Sequence, residues 1–175
     1  MTTLRLAALL TAALLALPAQ AAPLVWTFDN AVFEDGGVAT GSFVFDADTG
    51  TFSAVSVTTT AGTLNAGASY TDVLFGDATS AGLVTGGGDL TGTPLLGLAF
   101  LPPLTNAGGF VALIDIFFPP ASSFEAVCDD AGCATATFSR QFVDGALVAS
   151  PVPVPAAAWL FGAALGALPL LRRRG

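Results

Sequence analysis

The sequence predicts a single all-β domain, of the β-sandwich or jelly-roll-like type, between two terminal segments that are predicted to be helical. Residues 22–149 contain short runs rich in Val, Thr and Phe, which Gly-rich turns separate at intervals of about 8–12 residues. No stretch in this range has helical periodicity, and no repeat of about 20–50 residues suggests a solenoid or a propeller. We therefore divide the chain into residues 1–21, 22–149 and 150–175.

The predicted strands are β-branched and aromatic runs bounded by turn-forming residues. Residues 46–50 (DADTG) are rich in turn formers, so the runs on either side are predicted to form a hairpin. Residues 109–118 are apolar on both faces, which is typical of a central strand, and Pro119 ends it. Asp144-Gly145 is a strong two-residue hairpin signal between the last two runs. The predicted strands are residues 24–28, 38–45, 51–59, 70–75, 95–101, 109–118, 134–143 and 146–149.

The N-terminus has the pattern of a secretory signal peptide. Arg5 supplies a positive charge, residues 6–17 are apolar, and small residues precede a predicted cut between Ala21 and Ala22. A cut one residue later would place Gln20 where a small residue is preferred. A retained transmembrane helix is disfavoured, because about 12 apolar residues are too few to span a bilayer. The leader is therefore predicted to be removed on export.

The C-terminal segment is predicted to be a transmembrane helix. Residues 155–171 carry no charge, and a helix of that length covers roughly 25 Å, the short limit for a span. Pro155 suits the first helical turn, and Trp159 suits the membrane interface. The terminal arginines would stay cytoplasmic, so the domain would be anchored on the far side of the inner membrane. A buried core helix is disfavoured, because apolar residues surround the whole helix.

The tail also resembles the PEP-CTERM sorting signal, in its Val-Pro-x-Pro subtype, with valine where the name-giving motif has glutamate. In that family an integral-membrane exosortase recognises the tail and cleaves near the proline motif. The substrates are exported proteins of exopolysaccharide-producing Gram-negative bacteria. The resemblance implies exosortase as a partner and a final location at the cell surface or outside the cell. The matching residues are Val152, Pro153, Val154, Pro155, Ala156, Ala157, Trp159, Leu160, Phe161, Gly162, Arg172, Arg173 and Arg174.

Charge is segregated along the chain. All 13 acidic residues lie between Asp29 and Asp144, and Arg140 is the only basic residue between Ala22 and Pro155, so that range has a net charge of −12. Such a surface repels the phosphates of nucleic acids and the headgroups of anionic lipids. We therefore predict no nucleic-acid partner. Solubility outside the cell is favoured over cation binding as the reason for the acidity.

Cys128 and Cys133 are the only cysteines. In an oxidising envelope, two thiols at this spacing with a glycine between them are predicted to form a disulfide that closes a small loop. A metal site would need further ligands, and the chain has no histidine to supply them. The spacing also differs from that of a CxxC redox motif. Neither a metal nor a cofactor is therefore predicted.

Few side chains suited to catalysis are present. Histidine and lysine are absent, which excludes His-dependent triads and lysine nucleophiles. A carboxylate pair, as in glycosidases, is the chemistry that remains. Asp115 is the one candidate, because burial beside Val111, Leu113 and Phe117 would raise its pKa. We favour the interpretation that this face of the strand is partly solvated, or that Asp115 hydrogen-bonds to a neighbouring loop.

Asp46, Asp48 and Gly50 resemble the start of a calcium-binding loop. The distal glutamate of an EF-hand is absent, however, and the sequence leads straight into a predicted strand. Carboxylates in a hairpin turn are therefore the favoured interpretation.

These observations predict an exported, non-enzymatic protein with a structural or matrix role and no catalytic residue. The family resemblance links that role to exopolysaccharide or biofilm. A carbohydrate-binding module is the alternative: it would use exposed aromatic side chains, among which Trp26 and Tyr70 carry polar groups, whereas phenylalanines are expected in the core. A carboxylate-dependent hydrolase ranks third, because it requires a second acid near Asp115.

Overall fold

The computed structural model describes residues 22–113 and 123–151, and this part of the chain contains ten β-strands and no helix. The all-β prediction is confirmed. The predicted signal peptide and C-terminal helix lie outside the described residues, where both stay predictions. Within those residues no helix is long and apolar enough to cross a membrane. The strands are β1 (Leu24–Phe33), β2 (Val38–Asp46), β3 (Thr51–Thr59), β4 (Ser69–Tyr70), β5 (Asp72–Gly76), β6 (Ser80–Val84), β7 (Pro94–Ala99), β8 (Phe110–Ala112), β9 (Phe124–Cys128) and β10 (Ala136–Pro151).

The ten strands form one antiparallel sheet that folds back on itself. Its order is β4-β3-β2-β1-β10-β9-β7-β6-β5, and β8 also pairs with β10. The long strand β10 joins two halves, because residues 136–141 pair with β9 whereas residues 142–151 pair with β1. The far ends of the sheet meet where β3 packs beside β5. The sheet is therefore nearly closed and barrel-like, with the apolar core inside.

Several predicted strands are confirmed, and two strands escaped prediction. β2 and β3 form the expected hairpin, in which Asp46 pairs with Thr51 and Gly50 has a φ of +67°. The sequence of β6 (SAGLV) is poor in β-branched residues, and that of β9 (FEAVC) contains a glutamate, so neither has a clear strand signal. Of the predicted central strand 109–118, the structure describes only β8 and its neighbours; residues 114–118 lie outside the described residues.

The predicted hairpin at Asp144-Gly145 is wrong, because β10 runs through both residues without turning. β1 pairs with β10 on both sides of this point, and two shifts of register accommodate the extra residues. Gly145 has a φ of +116°, and a Cβ atom there would lie 2.4 Å from the Cα of Ala31. The glycine thus permits a bulge and a close strand approach, which are the other common uses of glycine in strands.

Six phenylalanines lie in the main core cluster beside seven leucines, which agrees with the expectation that phenylalanines are core residues. The ring of Phe33 lies 4.0 Å from that of Phe142, and Phe43 lies 5.3 Å from Phe52 (centroid distances). Trp26 packs in the same cluster with 1% of its surface exposed. Burial of each such ring contributes about 1.5–3 kcal/mol. Phe100, which follows β7, lies 6.3 Å from Phe43 of β2 and so joins the two halves of the core.

We expect Gly145→Ala to lower the free energy of unfolding by about 1–3 kcal/mol, because the added Cβ meets the backbone of β1. Gly109→Ala is the matched control: Gly109 has a similar φ of +133°, but nothing lies within 4 Å of its Cβ position. Urea unfolding of both variants measures the difference. Equal losses would mean that the φ angle alone matters, and would contradict the close approach.

Candidate functional site

Arg140 is the only basic residue in the described part of the chain, and it is completely buried. It lies in β10 opposite Glu125 of β9. Its Nε donates to Glu125 Oε2 at 2.5 Å, and its Nη1 donates to both carboxylate oxygens of Asp35 at 3.0 Å. All three side chains are inaccessible to solvent. One cation is therefore paired with two acids inside the protein.

The remaining faces of the Arg140 guanidinium are also occupied. Nη2 donates to the backbone oxygen of Thr60 at 3.0 Å. The Phe33 ring lies against the guanidinium, with 4.2 Å from Cζ to the ring centroid, a cation–π contact. Gly37 leaves the space that the group needs, because a Cβ there would lie 2.3 Å from Nη1. No direction of approach to the cation is left open for a ligand.

Glu125 is saturated by hydrogen bonds in the same way. Its Oε1 accepts from the Thr59 hydroxyl at 2.8 Å and from the Tyr70 hydroxyl, and its Oε2 accepts from Asn65 Nδ2 at 3.0 Å. Burial, and then the hydrogen bond to Glu125, raise the pKa of Tyr70 far above its usual value. The phenol therefore stays a neutral donor. Together with Arg140, these donors satisfy both oxygens of this buried carboxylate.

Asp35, in the turn between β1 and β2, is the second acid paired with Arg140. Its carboxylate accepts the backbone N–H groups of Gly37 at 3.0 Å and Leu64 at 3.1 Å, in addition to Arg140. Burial alone would raise the pKa of Asp35, but these backbone and Arg140 hydrogen bonds outweigh it and lower the pKa below its usual value. Gly62 packs flat on the carboxylate, since a Cβ there would lie 2.2 Å from it.

We call Arg140, Glu125, Asp35, Tyr70 and Thr59 the buried ionic cluster. Its members come from β10, β9, the β1–β2 turn, β4 and β3, so the cluster ties the two halves of the sheet together. Each ionised group has partners of opposite charge or hydrogen-bond donors, and none is open to solvent. An acid or base for catalysis has to reach a substrate, and this geometry does not allow it. The cluster is structural.

The predicted calcium-loop residues lie in the β2–β3 turn. Asp46 Oδ1 accepts the backbone N–H of Asp48 at 2.9 Å and the amide of Asn106 at 3.2 Å. Hydrogen bonds, from Asn106 first and then from Asp48, lower the pKa of Asp46. In residues 22–113 and 123–151, no three acidic or cysteine side chains are grouped so as to hold a metal. The arrangement is that of turn carboxylates.

The predicted disulfide is present between Cys128 and Cys133, whose Cα atoms are 4.8 Å apart. Asp130 organises the loop that it closes. The Thr135 hydroxyl, followed by the N–H groups of Ala134 and Thr135, lowers the pKa of Asp130 to about 2. A charged Asp130 therefore holds the loop in one conformation, and the loop covers Val84 and Leu95 on the outer face of the sheet together with Cys128.

Exposed aromatic side chains are present, but they are not those that were predicted. Trp26 and Tyr70 are 1% and 0% exposed, so neither can stack on a ligand, and the expectation that the alternative function would use them is wrong. Phe75 and Phe138 are instead 51% and 56% exposed, although phenylalanines were expected in the core. Phe110 on β8 is also exposed. Strand alternation alone does not identify these positions, because bulges interrupt it.

An open depression lies on the surface between β1 and β10. It is lined by Thr27, Phe28, Asp29 and Val148, and Asp29 is its one ionisable group. A single exposed carboxylate beside apolar side chains does not provide the acid and base pair that hydrolysis requires. The depression therefore supports no catalytic assignment.

The other predicted site residues lie at or beyond the ends of the described ranges. Ala22 is exposed just before β1, whereas Ala21, Asp115 and the sorting residues from Val152 onwards lie outside the described residues. Comparisons of the chain with protein-family models, with curated proteins and with solved structures find no match.

We expect Arg140→Met to lower the free energy of unfolding by about 3–5 kcal/mol, because it leaves Glu125 and Asp35 buried without their cation. Gln141→Ala, at the exposed neighbouring position, is the control and should have little effect. Urea unfolding monitored by tryptophan fluorescence measures both. Recovery of much of the loss in the double variant Arg140→Met/Glu125→Gln would confirm that the unpaired charge is the cause.

Stability should fall as the pH is lowered from about 4 to about 2. The pKa values of Asp130 and Asp35 are lower in the folded state than in the unfolded chain, where they are about 3.9. Above a pH of about 3.9 both carboxylates therefore stabilise the folded state. This stabilisation is lost as the pH falls through their pKa values in the folded state. Asp130→Asn should therefore differ from the wild type most at neutral pH and least near pH 2. Asp29→Asn corrects for the loss of one surface charge. A pH-independent difference would contradict the assignment.

Proposed function

We propose that this chain is an exported, non-enzymatic envelope or extracellular protein with a structural or matrix role, sorted by an exosortase. The observation that carries the non-enzymatic part is the closed state of the buried ionic cluster. Arg140, Glu125 and Asp35 satisfy one another, which leaves no buried acid or base free for chemistry in the described residues. The carboxylates that remain there belong to turns and to the surface.

The surface of the domain supports a location outside the cell. Because Arg140 is buried, the exposed charges of the described residues are all negative. Like charges keep such a domain soluble and separate from anionic membranes. The disulfide at Cys128 and Cys133 adds a bond that persists in oxidising compartments.

The sequence of the C-terminal tail supports the proposal that an exosortase sorts the protein. Val152 follows directly after Pro151, the last residue of β10, so the proline motif begins immediately after the last described strand. We propose that exosortase reads Val152 to Pro155 together with Trp159 and the arginines from Arg172 to Arg174. Membrane anchorage through residues 155–171 precedes cleavage, and the domain then reaches the cell surface or the medium. Association with exopolysaccharide or biofilm is part of this proposal.

We also propose a more specific fold class within the all-β proteins. We assign the domain to the jelly-roll-like β-sandwiches, with the two halves of the sheet as the two layers. The support for this assignment is that β10 changes partners midway, from β9 to β1, as strands do at the corners of sandwiches.

A carbohydrate-binding module is the second candidate. It is favoured by the exposed rings of Phe75 and Phe138.

Deletion of residues 152–175 tests the sorting proposal and leaves β10 intact. We expect the full chain to fractionate with the envelope of an exosortase-producing Gram-negative host, and the truncated chain to appear soluble in the periplasm or the medium. In a host that lacks exosortase, the full chain should stay in the inner membrane uncleaved. Identical fractionation of both chains would contradict anchoring, and identical processing in both hosts would contradict the role of exosortase.

A further inference from the structure

The outer face of the second half of the sheet carries a row of residues that crosses four strands. Phe75 of β5 is paired with Gly82 of β6, Gly82 with Gly97 of β7, and Gly97 with Phe124 of β9. Their neighbours Leu83 and Leu96 point into the core, so the row itself points outward. Two glycines therefore lie between two phenylalanines on one exposed sheet surface.

Each phenylalanine ring lies across the glycine beside it. A Cβ on Gly82 would lie 2.5 Å from the Phe75 ring, and a Cβ on Gly97 would lie 2.6 Å from the Phe124 ring. The absence of a side chain at both glycines is what allows the rings to lie down on the sheet. Phe75 is 51% exposed, and Phe124 is half-buried. The surface is consequently flat, with aromatic faces in place of projecting side chains.

A third ring extends this surface. Phe138 of β10 lies beside Phe124, with 6.1 Å between the ring centroids, and is 56% exposed. We call Phe75, Phe124 and Phe138 the aromatic strip. Ser80 and Gln141 lie on the same outer face, at positions next to the strip in β6 and β10. Exposed apolar surface that is contiguous and bordered by polar groups is typical of a binding site.

Charge restricts what the strip can bind. The exposed ionic groups of the described residues are all carboxylates, because the one cation of that part of the chain is buried in the ionic cluster. Polyanions, including acidic polysaccharides and nucleic acids, are repelled by this field. Protein partners are favoured less, because protein-binding hot spots rely on Trp, Tyr and Arg in pockets, and the strip is flat and contains phenylalanine alone.

Neutral sugars have the chemistry that suits the strip. A hexose ring presents C–H groups of weakly positive charge on one face, and these complement the negative face of an aromatic ring. Its hydroxyl groups have the polar side chains of Ser80 and Gln141 at the border as hydrogen-bond partners. A polysaccharide repeats this unit along its length, which matches a strip of several rings better than a single pocket does.

We propose that the aromatic strip binds a neutral polysaccharide chain, whose sugar rings stack on Phe75, Phe124 and Phe138. This inference rests on the proposed matrix role and names its partner class. It also corrects the sequence-based alternative, in which the tryptophan and the tyrosine would have contacted the glycan.

The test is native affinity electrophoresis of the full chain in detergent, in gels that contain hydroxyethylcellulose, laminarin or dextran, with alginate as the anionic probe. We expect retardation by at least one neutral polymer and none by alginate. The double variant Phe75→Ala/Phe138→Ala should bind about tenfold more weakly. Phe110→Ala is the matched control, since Phe110 is 63% exposed on β8, away from the strip, and it should bind like the wild type.

Two further measurements keep the result interpretable. Phe75→Trp/Phe138→Trp retains flat rings and should retain binding, which separates stacking from a folding defect of the alanine variant. Sedimentation velocity shows whether the strip instead joins two copies of the chain. The proposal is overturned if no neutral polymer retards the chain, if alginate retards it equally, or if the alanine variants of the strip and of Phe110 behave alike. Normal fractionation with no polymer binding would overturn the strip alone and leave the sorting proposal standing.

Discussion

The structure depends on the burial of one positive charge. Arg140 can be stable inside the sheet only because Glu125 and Asp35 bring two carboxylates to it, and because Tyr70 and Thr59 donate to the excess oxygens. These groups come from strands that are distant in sequence and lie in both halves of the sheet. The cluster therefore specifies how the halves are joined, in addition to stabilising them once the apolar core has formed.

Burial of the cation also determines the character of the surface. With Arg140 inside, the exposed charges of the described residues are carboxylates, and the aromatic strip is an exposed apolar feature of the outer face. The same β10 strand carries both features. Phe138 points outward and Arg140 points inward, although residues two apart in a regular strand share one face. A bulge at Ser139 produces this reversal, since Phe138 pairs with Ala126 whereas Arg140 pairs with Glu125.

Short sequence motifs correctly predicted the structural features that depend on residues close together in the chain. The hairpin at 46–50 and the bond between Cys128 and Cys133 are set by turn formers and short spacing, and the structure confirms both. The signal at Asp144-Gly145 failed because β1 pairs on both sides of it and converts a local turn preference into a bulge. Strand β9 escaped prediction because its glutamate looks unsuitable for a buried strand until Arg140 is placed opposite it.

The sequence by itself determined the all-β class, the acidic balance and the lack of histidine and lysine, since these follow from composition and short-range pattern. The export and sorting signals are likewise sequence-level predictions. Only the tertiary structure decided which aromatic rings are buried and which are exposed, and where the single cation lies. The physical reason is that a one-residue bulge reverses the face of every residue after it, and bulges arise from pairing between strands far apart in the chain.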